Sequence, residues 1–416
     1  MSPLDEEVFM EAPEEAGLAW DECWQAICAF PGLKGAPRAW QRHSTKVLVE
    51  ELGMEQSHYD DCCFWEHGYG TDDERQKSVK AGRHIDDFLI TGPQAKVDLI
   101  LEKLGTHLNL RDIVRLYKQG DNGILLSMHI TKIKGGYTLA GKASLIDDMS
   151  ECLGLENANP VKTPEQADRH EQLGDRESVS WQDHSTYRTV VGKAIHVGHH
   201  RPDIQHAVHG VSRHVSVPTA GDMKDLKRLV RYLLGTRNVL LLLMPSKDAV
   251  PFECFVDSDW ADNKNDRKSC SGGALKIYGT TVMTWSRAQA AYALSSTEAE
   301  LYALAVGAVE CLGLQTLMRE WGYSTVPHLH TDSQAAKAVC MKRGPGRMKH
   351  VELRLLVIQD WVEQGRLKLF KVGTHVNPAD MMTKGINFDK LVRFARMLGL
   401  RGDTFNDPTH DAPHED

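Results

Sequence analysis

Apolar residues recur at helical spacing over 36–53, where the pattern is carried by Ala39, Trp40, Val47, Leu48 and Leu52. This spacing predicts a helix that ends at Gly53. The charged stretch 71–80 predicts a loop, and the apolar run 88–91, closed by Gly92-Pro93, predicts a strand. Residues 124–133 and 137–139 are separated by Lys-Gly-Gly, which is typical of a hairpin with a glycine turn.

The middle of the chain alternates helical and polar patterns. Helices are predicted over 143–152, 187–212 and 222–234, with the polar stretch 163–180 as a linker between the first two. The third helix has a basic side formed by Lys224, Lys227, Arg228 and Arg231. Such a side could follow backbone phosphates or could simply be solvated surface charge.

From residue 251 onward, short strands and helices follow one another closely. Strands are predicted over 252–256, 274–278 and 281–285, and then a long helix rich in Ala and Leu over 299–321. A strand over 326–331, helices over 333–341 and 349–364, and a strand over 367–372 precede a last helix that begins near Asp380. The order βββαβααβα predicts an α/β (α+β) fold with a mixed five-stranded sheet and flanking helices.

Length and composition limit the possible classes of protein. The 416 residues, 41% of them hydrophobic, predict two or three domains with substantial cores. The longest apolar run, 239–244, is too short to cross a bilayer, and nine scattered cysteines without CxxC pairs favour a soluble protein in a reducing, intracellular setting. Because the net charge is −8, any surface that binds phosphates must be local.

Acidic residues at the ends of predicted elements are the main candidate chemistry, and they are Asp257, Glu298, Asp332 and Asp380. Strand ends and first helical turns can converge on one edge of a mixed sheet, where divalent ions offset the repulsion between carboxylates. Two such ions can activate a water and stabilise the leaving oxygen of a phosphodiester. The sequence therefore predicts two Mg²⁺ (or Mn²⁺) ions, with His375 on a nearby loop moving protons.

Each acid also has an ordinary structural explanation. Glu298 with Ser295 forms the S-x-x-E pattern of a capping box. Asp332 and Asp380 could be solvated acids that the helix dipole favours, and Asp257 could simply begin a turn. The joint placement of four acids in one strand and helix order favours the metal site.

The motifs around these acids resemble the ribonuclease H domain of copia-type LTR retrotransposon Pol polyproteins. They are Phe255-Val-Asp257-Ser-Asp259-Trp260, Ser295-Ser-Thr-Glu298-Ala-Glu300, His330-Thr-Asp332-Ser-Gln334, Lys349-His350-Val-Glu-Leu-Arg354 and Ala379-Asp380-Met-Met-Thr-Lys384. The resemblance implies metal-dependent cleavage of the RNA strand of RNA–DNA hybrids by the four acids named above. Asp259 and Glu300, two residues beyond catalytic positions, are expected to leave the metal edge as supporting residues.

Upstream motifs resemble the reverse transcriptase of the same polyproteins, with Leu33-Lys-Gly-Ala-Pro-Arg38-Ala-Trp40 and His84-Ile-Asp86-Asp87 as the principal matches. His84 stands where the family has Tyr in its metal box, so Asp86 and Asp87 are expected to form a degenerate polymerase metal box, although they could also be an ordinary acidic turn. The family's first catalytic aspartate lies before a stretch like the one at Met1, so polymerase activity is expected to be lost through truncation. The expected domains are a truncated palm over 1–140, a thumb or connection over 141–250, ribonuclease H over 251–392, and an acidic, disordered tail over 393–416.

Nucleic acid is the expected partner. The basic residues proposed to hold it are Lys342, Arg343, Arg347, Lys349 and Arg38. Recognition of an RNA–DNA hybrid would rest on its backbone, its shape and the RNA 2′-hydroxyls, and so would be largely independent of sequence. Other Pol products are possible partners, and a membrane is not.

Three functional hypotheses remain open from the sequence: an active hybrid-specific endoribonuclease, a catalytically silent retroelement remnant that binds nucleic acid, and a strand-transfer enzyme of the integrase kind. A fourth acid at Asp380 argues against the last of these, since strand-transfer enzymes finish with a helical Glu.

Overall fold

The computed structural model describes residues 7–17, 22–30, 32–68, 70–166, 175–261, 267–344 and 353–405. The chain folds as two compact units. The N-terminal unit consists of Met1–Arg115 together with Thr316–Ser324, and the C-terminal unit consists of Leu116–Gln315 together with Thr325–Asp416.

In the N-terminal unit, a four-stranded antiparallel sheet packs against helices. The strands of this unit are β1 (Phe9–Met10), β2 (Trp24–Gln25), β3 (Met54–Gln56), β4 (Cys63–Glu66), β5 (Lys80–His84) and β6 (Asp87–Thr91). Strands β3 to β6 form the four-stranded sheet in that order. Its helices are α1 (Ala36–Lys46, continued by a π-helical turn over Val47–Glu51), α2 (Asp72–Gln76) and α3 (Gln94–His107). Leu48, Phe64 and Leu104 form its core, because the apolar side of each element faces the same interior.

The predicted helix over 36–53 and strand over 88–91 are confirmed. The loop predicted over 71–80 is wrong. Thr71 and Glu74 form a capping box at the start of α2. Lys80, the first residue of β5, is buried, and its ammonium group donates hydrogen bonds to the carbonyl oxygens of Arg75 and Gln76 at the end of α2.

The C-terminal unit contains two five-stranded sheets and the larger core. Its strands are β7 (Asn122–Leu125), β8 (Met128–Ile133), β9 (Gly136–Gly141), β10 (Leu240–Leu243), β11 (Phe252–Ser258), β12 (Cys270–Ile277), β13 (Thr280–Ala288), β14 (His328–Thr331), β15 (Lys368–Lys371) and β16 (Leu400–Arg401). The remaining helices are α4 (Ala143–Cys152), α5 (Trp181–Gly198), α6 (Gln205–Ser212), α7 (Ala220–Gly235), α8 (Ser296–Glu320), α9 (Gln334–Cys340), α10 (Leu353–Glu363) and α11 (Phe388–Met397).

The helix predicted over 187–212 is two helices, α5 and α6, joined through a 3-10 turn at Pro202–Ile204. Proline has no backbone N–H to continue the first helix. The turn is fixed by a buried ion pair in which the Arg201 guanidinium donates to both oxygens of Asp203, at 2.8 and 2.7 Å. Tyr232 and Thr236 on and after α7 complete this buried network.

The predicted mixed five-stranded sheet is confirmed, and so is the order βββαβααβα. The strand order is β13-β12-β11-β14-β15, with β11 to β13 antiparallel and with β14 and β15 parallel to β11. Helix α8 lies closely against this sheet at Gly307, where an added Cβ would be 2.5 Å from Val256 and 3.1 Å from Leu329. By length and composition this helix could cross a membrane, but 56% of its apolar 18-residue segment is buried inside the protein, as in a core helix.

Two predicted domain boundaries, at residues 140 and 250, differ from the structure. Residues 116–140, placed in the palm, fold as β7 to β9 of the C-terminal unit. Helices α4 to α7 share one hydrophobic core with residues of the predicted ribonuclease H segment, such as Met381 and Phe394, so that 141–250 is not a separate compact unit. The apolar pattern does not show which elements share a core.

The last predicted helix begins at Phe388 rather than near Asp380, because Asp380 lies in a 3-10 turn over Pro378–Met382. The tail predicted from 393 is also wrong up to residue 405. Helix α11 continues to Met397, β16 pairs with β10, and Leu400 and Phe405 are fully buried. Residues 406–416 lie outside the described residues.

Candidate metal centre

Three carboxylates converge at one edge of the mixed sheet. Asp257 lies near the end of β11, Asp332 directly follows the parallel neighbour β14, and Glu300 lies on α8. Each offers an oxygen within 4.8 Å of the others. Parallel neighbouring strands end at the same edge, and α8 crosses that edge, which explains why residues distant in sequence meet here.

Glu300, not the predicted Glu298, completes this group. Two residues along a helix are separated by about 200° of rotation, so only one of these glutamates can face the edge. Glu300 shares the i, i+3, i+4, i+7 stripe with Ala303, Leu304 and Gly307, all of which face the sheet or are fully buried. That stripe is visible in the sequence and could have identified Glu300.

Glu298 has the capping role that its S-x-x-E pattern indicated. Its backbone N–H donates to the Ser295 hydroxyl at 3.2 Å, and its carboxylate accepts the Leu294 N–H at 2.8 Å. The carboxylate therefore satisfies an N–H at the start of α8. The expectation that Glu300 leaves the metal edge is wrong, whereas the metal-binding role predicted for Glu298 stays a prediction.

Asp380 is fully buried beside this group but outside the 4.8 Å cluster. Its carboxylate forms an ion pair with Lys384, and Lys390 lies 4.0 Å from its second oxygen. Thr383 connects it to the cluster, because the threonine hydroxyl donates to Asp257 at 2.5 Å and lies 3.0 Å from the Asp380 carbonyl oxygen. Asp380 thus supports the edge from the turn after β15.

His375 is exposed on the short turn Thr374–Val376. Its neighbour Thr374 donates a hydrogen bond to Asp332 at 2.7 Å, and the His375 carbonyl accepts one from Arg393 at 3.4 Å. The predicted loop position beside the acids is therefore present, with the imidazole free to approach solvent.

Burial and repulsion by neighbouring carboxylates raise the pKa values of Asp257 and Glu300. Burial raises the pKa of Asp257 to about 7, and the negative charge of Asp380 acts in the same direction. The hydrogen bond from Thr383 lowers this pKa but does not offset the burial. Burial, followed by the charges of Asp257 and Asp332, raises the pKa of Glu300 to about 8. Oxygen-only donors that repel one another in this way fit a hard divalent cation, and the triad Asp257, Glu300 and Asp332 could hold one.

The chain is similar to long polyproteins over almost all of its length. No family model matches it. It is 28% identical over 407 residues to the retrovirus-related Pol polyprotein from transposon RE1 of Arabidopsis thaliana, a match that covers 95% of this chain and 26% of that polyprotein. The Pol polyprotein from transposon TNT 1-94 of Nicotiana tabacum is 26% identical over 414 residues, covering 95% and 30%.

The chain is a homologue of copia-type Pol polyproteins. It spans about a quarter of the length of the curated relatives that it matches. Among solved structures, the foamy viral protease-reverse transcriptase in complex with an RNA/DNA hybrid has a TM-score of 0.48 and 10% sequence identity, covering 86% of this chain and 40% of that one.

In this Pol homologue, Asp86 and Asp87 are exposed at the tip of the β5–β6 hairpin. His84 pairs with Asp87, which leaves Ile85 and Asp86 as the turn, with Ile85 at a φ of 54°. The indole of Trp40 donates to the Ile85 carbonyl at 2.6 Å and connects this turn to α1. The predicted placement at a turn entering a strand is confirmed, whereas the role as a metal box stays a prediction.

The predicted nucleic-acid residues that the structure describes belong to both units of the Pol homologue. Arg38 is exposed on α1, and Lys342 is exposed after α9. Arg343 is exposed but forms a two-point ion pair with Glu363, with contacts of 2.5 and 2.6 Å. Arg347 and Lys349 lie outside the described residues.

The basic side of α7 is largely occupied by contacts within the protein. Lys224 pairs with Asp175 at 2.7 Å, and Arg228 and Arg231 donate to Thr163 and to the Asn159 carbonyl, each at 2.8 Å. These contacts join α7 to Asn159, Thr163 and Asp175. The suggestion that the basic side of α7 binds backbone phosphates is therefore weakened, because a cation that already has a partner must lose it before it can bind a phosphate.

Proposed function

We propose that this chain is a metal-dependent endonuclease that cuts the RNA strand of RNA–DNA hybrids. The observation that carries the proposal is the convergence of Asp257, Glu300 and Asp332 on one edge of a sheet with ribonuclease H-like strand order. Homology to Pol polyproteins supports a nucleic-acid substrate.

In this proposal, Asp257, Glu300 and Asp332 hold two Mg²⁺ or Mn²⁺ ions with the help of Asp380. When bound, such ions lower the pKa of an attacking water and stabilise the leaving oxygen of the phosphodiester. Asp257 would be a ligand that is held in place from the turn carrying Asp380, because it is the most buried member of the triad and accepts a hydrogen bond from Thr383.

Neighbouring residues position these acids. Thr383 orients the Asp257 carboxylate, Lys384 neutralises Asp380, and Thr374 holds Asp332. His375 would transfer a proton to or from the reacting phosphodiester or the departing product, since its imidazole lies on the exposed turn beside Asp332. Discrimination between RNA and DNA would come from contacts with the 2′-hydroxyl.

The test is cleavage of an end-labelled RNA–DNA hybrid by the purified chain in Mg²⁺, beside duplex RNA, single-stranded RNA and duplex DNA. We expect cutting of the hybrid alone, abolished by a chelator and by Asp332→Asn. A folded protein that binds the hybrid but never cuts it in Mg²⁺ or Mn²⁺ would contradict the proposal and favour the catalytically silent remnant.

A further inference from the structure

Two aromatic rings and an aliphatic side chain are exposed on loops that adjoin the metal acids. Trp260 is 55% exposed in the loop after β11, whereas Tyr292 and Leu294 are 59% and 68% exposed in the loop between β13 and α8. A group of exposed apolar side chains, unlike a single one, is a candidate binding surface.

Direct hydrogen bonds hold these loops together. The Trp260 indole N–H donates to the Ala293 carbonyl at 3.1 Å, which ties one loop to the other. The Asp259 carboxylate accepts the Cys270 N–H, and the Ala261 N–H donates to the Ser269 hydroxyl at 3.0 Å. Trp260 is therefore joined directly to the residue that follows Tyr292.

Both loops are also connected to the metal centre. Trp260 follows Asp257 by three residues, and the Leu294 N–H is bound by Glu298, two residues before Glu300. Glu298 thus fixes the Tyr292 loop at the start of the helix that carries the metal-centre glutamate. The two loops that carry the rings therefore lead directly from β11, which carries Asp257, and into α8, which carries Glu300.

A cation accompanies the rings. The Lys268 ammonium lies 6.0 Å from the centre of the Tyr292 ring. In a chain of net charge −8, an ammonium beside aromatic faces gives this surface a local chemistry of rings and positive charge. That combination binds nucleic-acid strands without reading their sequence, because rings stack on bases or sugars while cations pair with phosphates.

We propose that Trp260, Tyr292 and Lys268 form a platform that holds the sugar–phosphate backbone and adjoining bases of the nucleic acid beside the cleavage point. This inference rests on the proposed function for the choice of an RNA–DNA hybrid as occupant. The residues of the platform would bind the nucleic acid and would take no part in the chemical step.

The test measures binding of a fluorescein-labelled RNA–DNA hybrid by anisotropy, with every variant made in the uncut Asp332→Asn background of the full chain. Tyr292→Ala and Trp260→Ala are expected to weaken binding by about 5- to 100-fold each, as loss of a stacking ring does. Lys268→Ala is expected to reduce the slope of log affinity against log salt by about 1. Trp181→Ala is the matched control, since Trp181 is 82% exposed at the start of α5 and is expected to leave binding unchanged.

Trp260→Phe separates the two roles of the indole, because phenylalanine keeps a ring and loses the bond to Ala293. It should retain most of the affinity. If thermal unfolding shows that Trp260→Ala does not fold, the affinity of Tyr292→Ala and the salt slope of Lys268→Ala still test the platform. Affinities and salt slopes equal to those of the Trp181→Ala control would overturn the platform.

Cleavage by the otherwise wild-type chain separates the two proposals. Cutting with no change of affinity in the platform variants removes the platform and leaves the nuclease. Weakened binding in those variants, with no cutting by the wild-type chain, removes the nuclease and leaves the platform as a nucleic-acid site.

Discussion

The C-terminal unit buries two clusters of charged side chains, one around Asp203 and one around Asp257. The first has its compensating charge within the chain, and the second does not. Around Asp203, the guanidinium of Arg201 and the hydroxyl of Tyr232 supply the compensating charge and donors from within the chain. Around Asp257, the neighbouring side chains Glu300 and Asp332 are acids as well. Burial and these neighbouring acids raise the pKa values of Asp257 and Glu300. A self-compensated cluster indicates a structural role, whereas a cluster that needs an external cation indicates a binding site.

Removing the acid from the self-compensated cluster should have the largest effect. Asp203→Ala leaves the fully buried Arg201 without its counter-charge, and we expect a loss of about 3–5 kcal/mol in the free energy of unfolding, measured by urea denaturation. The double variant Arg201→Met, Asp203→Leu removes both charges and should recover most of that loss. A change below about 1 kcal/mol for Asp203→Ala would show that the pair is not structural.

In the second cluster, Glu300→Gln should act on chemistry more than on stability. We expect hybrid cleavage to fall by about 100-fold or more, since one metal-binding carboxylate is lost. Glu298→Gln is the matched control on the same helix; its amide oxygen can still accept the Leu294 N–H, so cleavage should change by less than about 2-fold. The opposite ranking of the two variants would restore the assignment first predicted from the motif.

The two glutamates show what could be derived from sequence. The order of strands and helices along the chain, the long apolar helix and the positions of Asp257 and Asp332 at strand ends were all predictable, because periodicity and turn residues report local structure. The motif did not distinguish Glu298 from Glu300, because a motif gives spacing and not the direction of a side chain. The stripe through Ala303 and Leu304 gives that direction.

Long-range packing was the less predictable part. Residues 116–140 and helices α4 to α7 join the C-terminal unit through contacts between segments far apart in the chain, and no local pattern encodes which partner covers an apolar face. The strand Leu400–Arg401 is another example, since two residues that pair with β10 give no periodic signal. The apparent tail was therefore placed too early.

Metal should stabilise only the cluster that lacks its own cation. Added Mg²⁺ at about 100 times its dissociation constant should raise the free energy of unfolding of the metal-free protein by about 2.7 kcal/mol. Glu300→Gln should reduce this gain, whereas Asp87→Asn, at the exposed hairpin of the N-terminal unit, should leave it unchanged. Thermal unfolding with and without Mg²⁺ measures the effect, and an equal loss of the gain in both variants would argue against a site made by the triad.

Acid should weaken the self-compensated cluster through His200, the neighbour of Arg201. Burial, and then the charge of Arg201, lowers the pKa of His200 to about 4, and the ring packs where Gly141 leaves room for it. The unfolded chain binds this proton near pH 6.5 and the folded protein only near pH 4, so stability is fully present above pH 6.5 and falls as the pH is lowered through that window.

We expect a loss of about 2 kcal/mol between pH 7 and pH 5 from this residue. Comparing urea denaturation of the wild type and His200→Gln across that range isolates it, because the other titrating groups are common to both. A variant as sensitive to acid as the wild type would show that His200 accepts its proton in the folded state, and that the region around Arg201 tolerates a second positive charge.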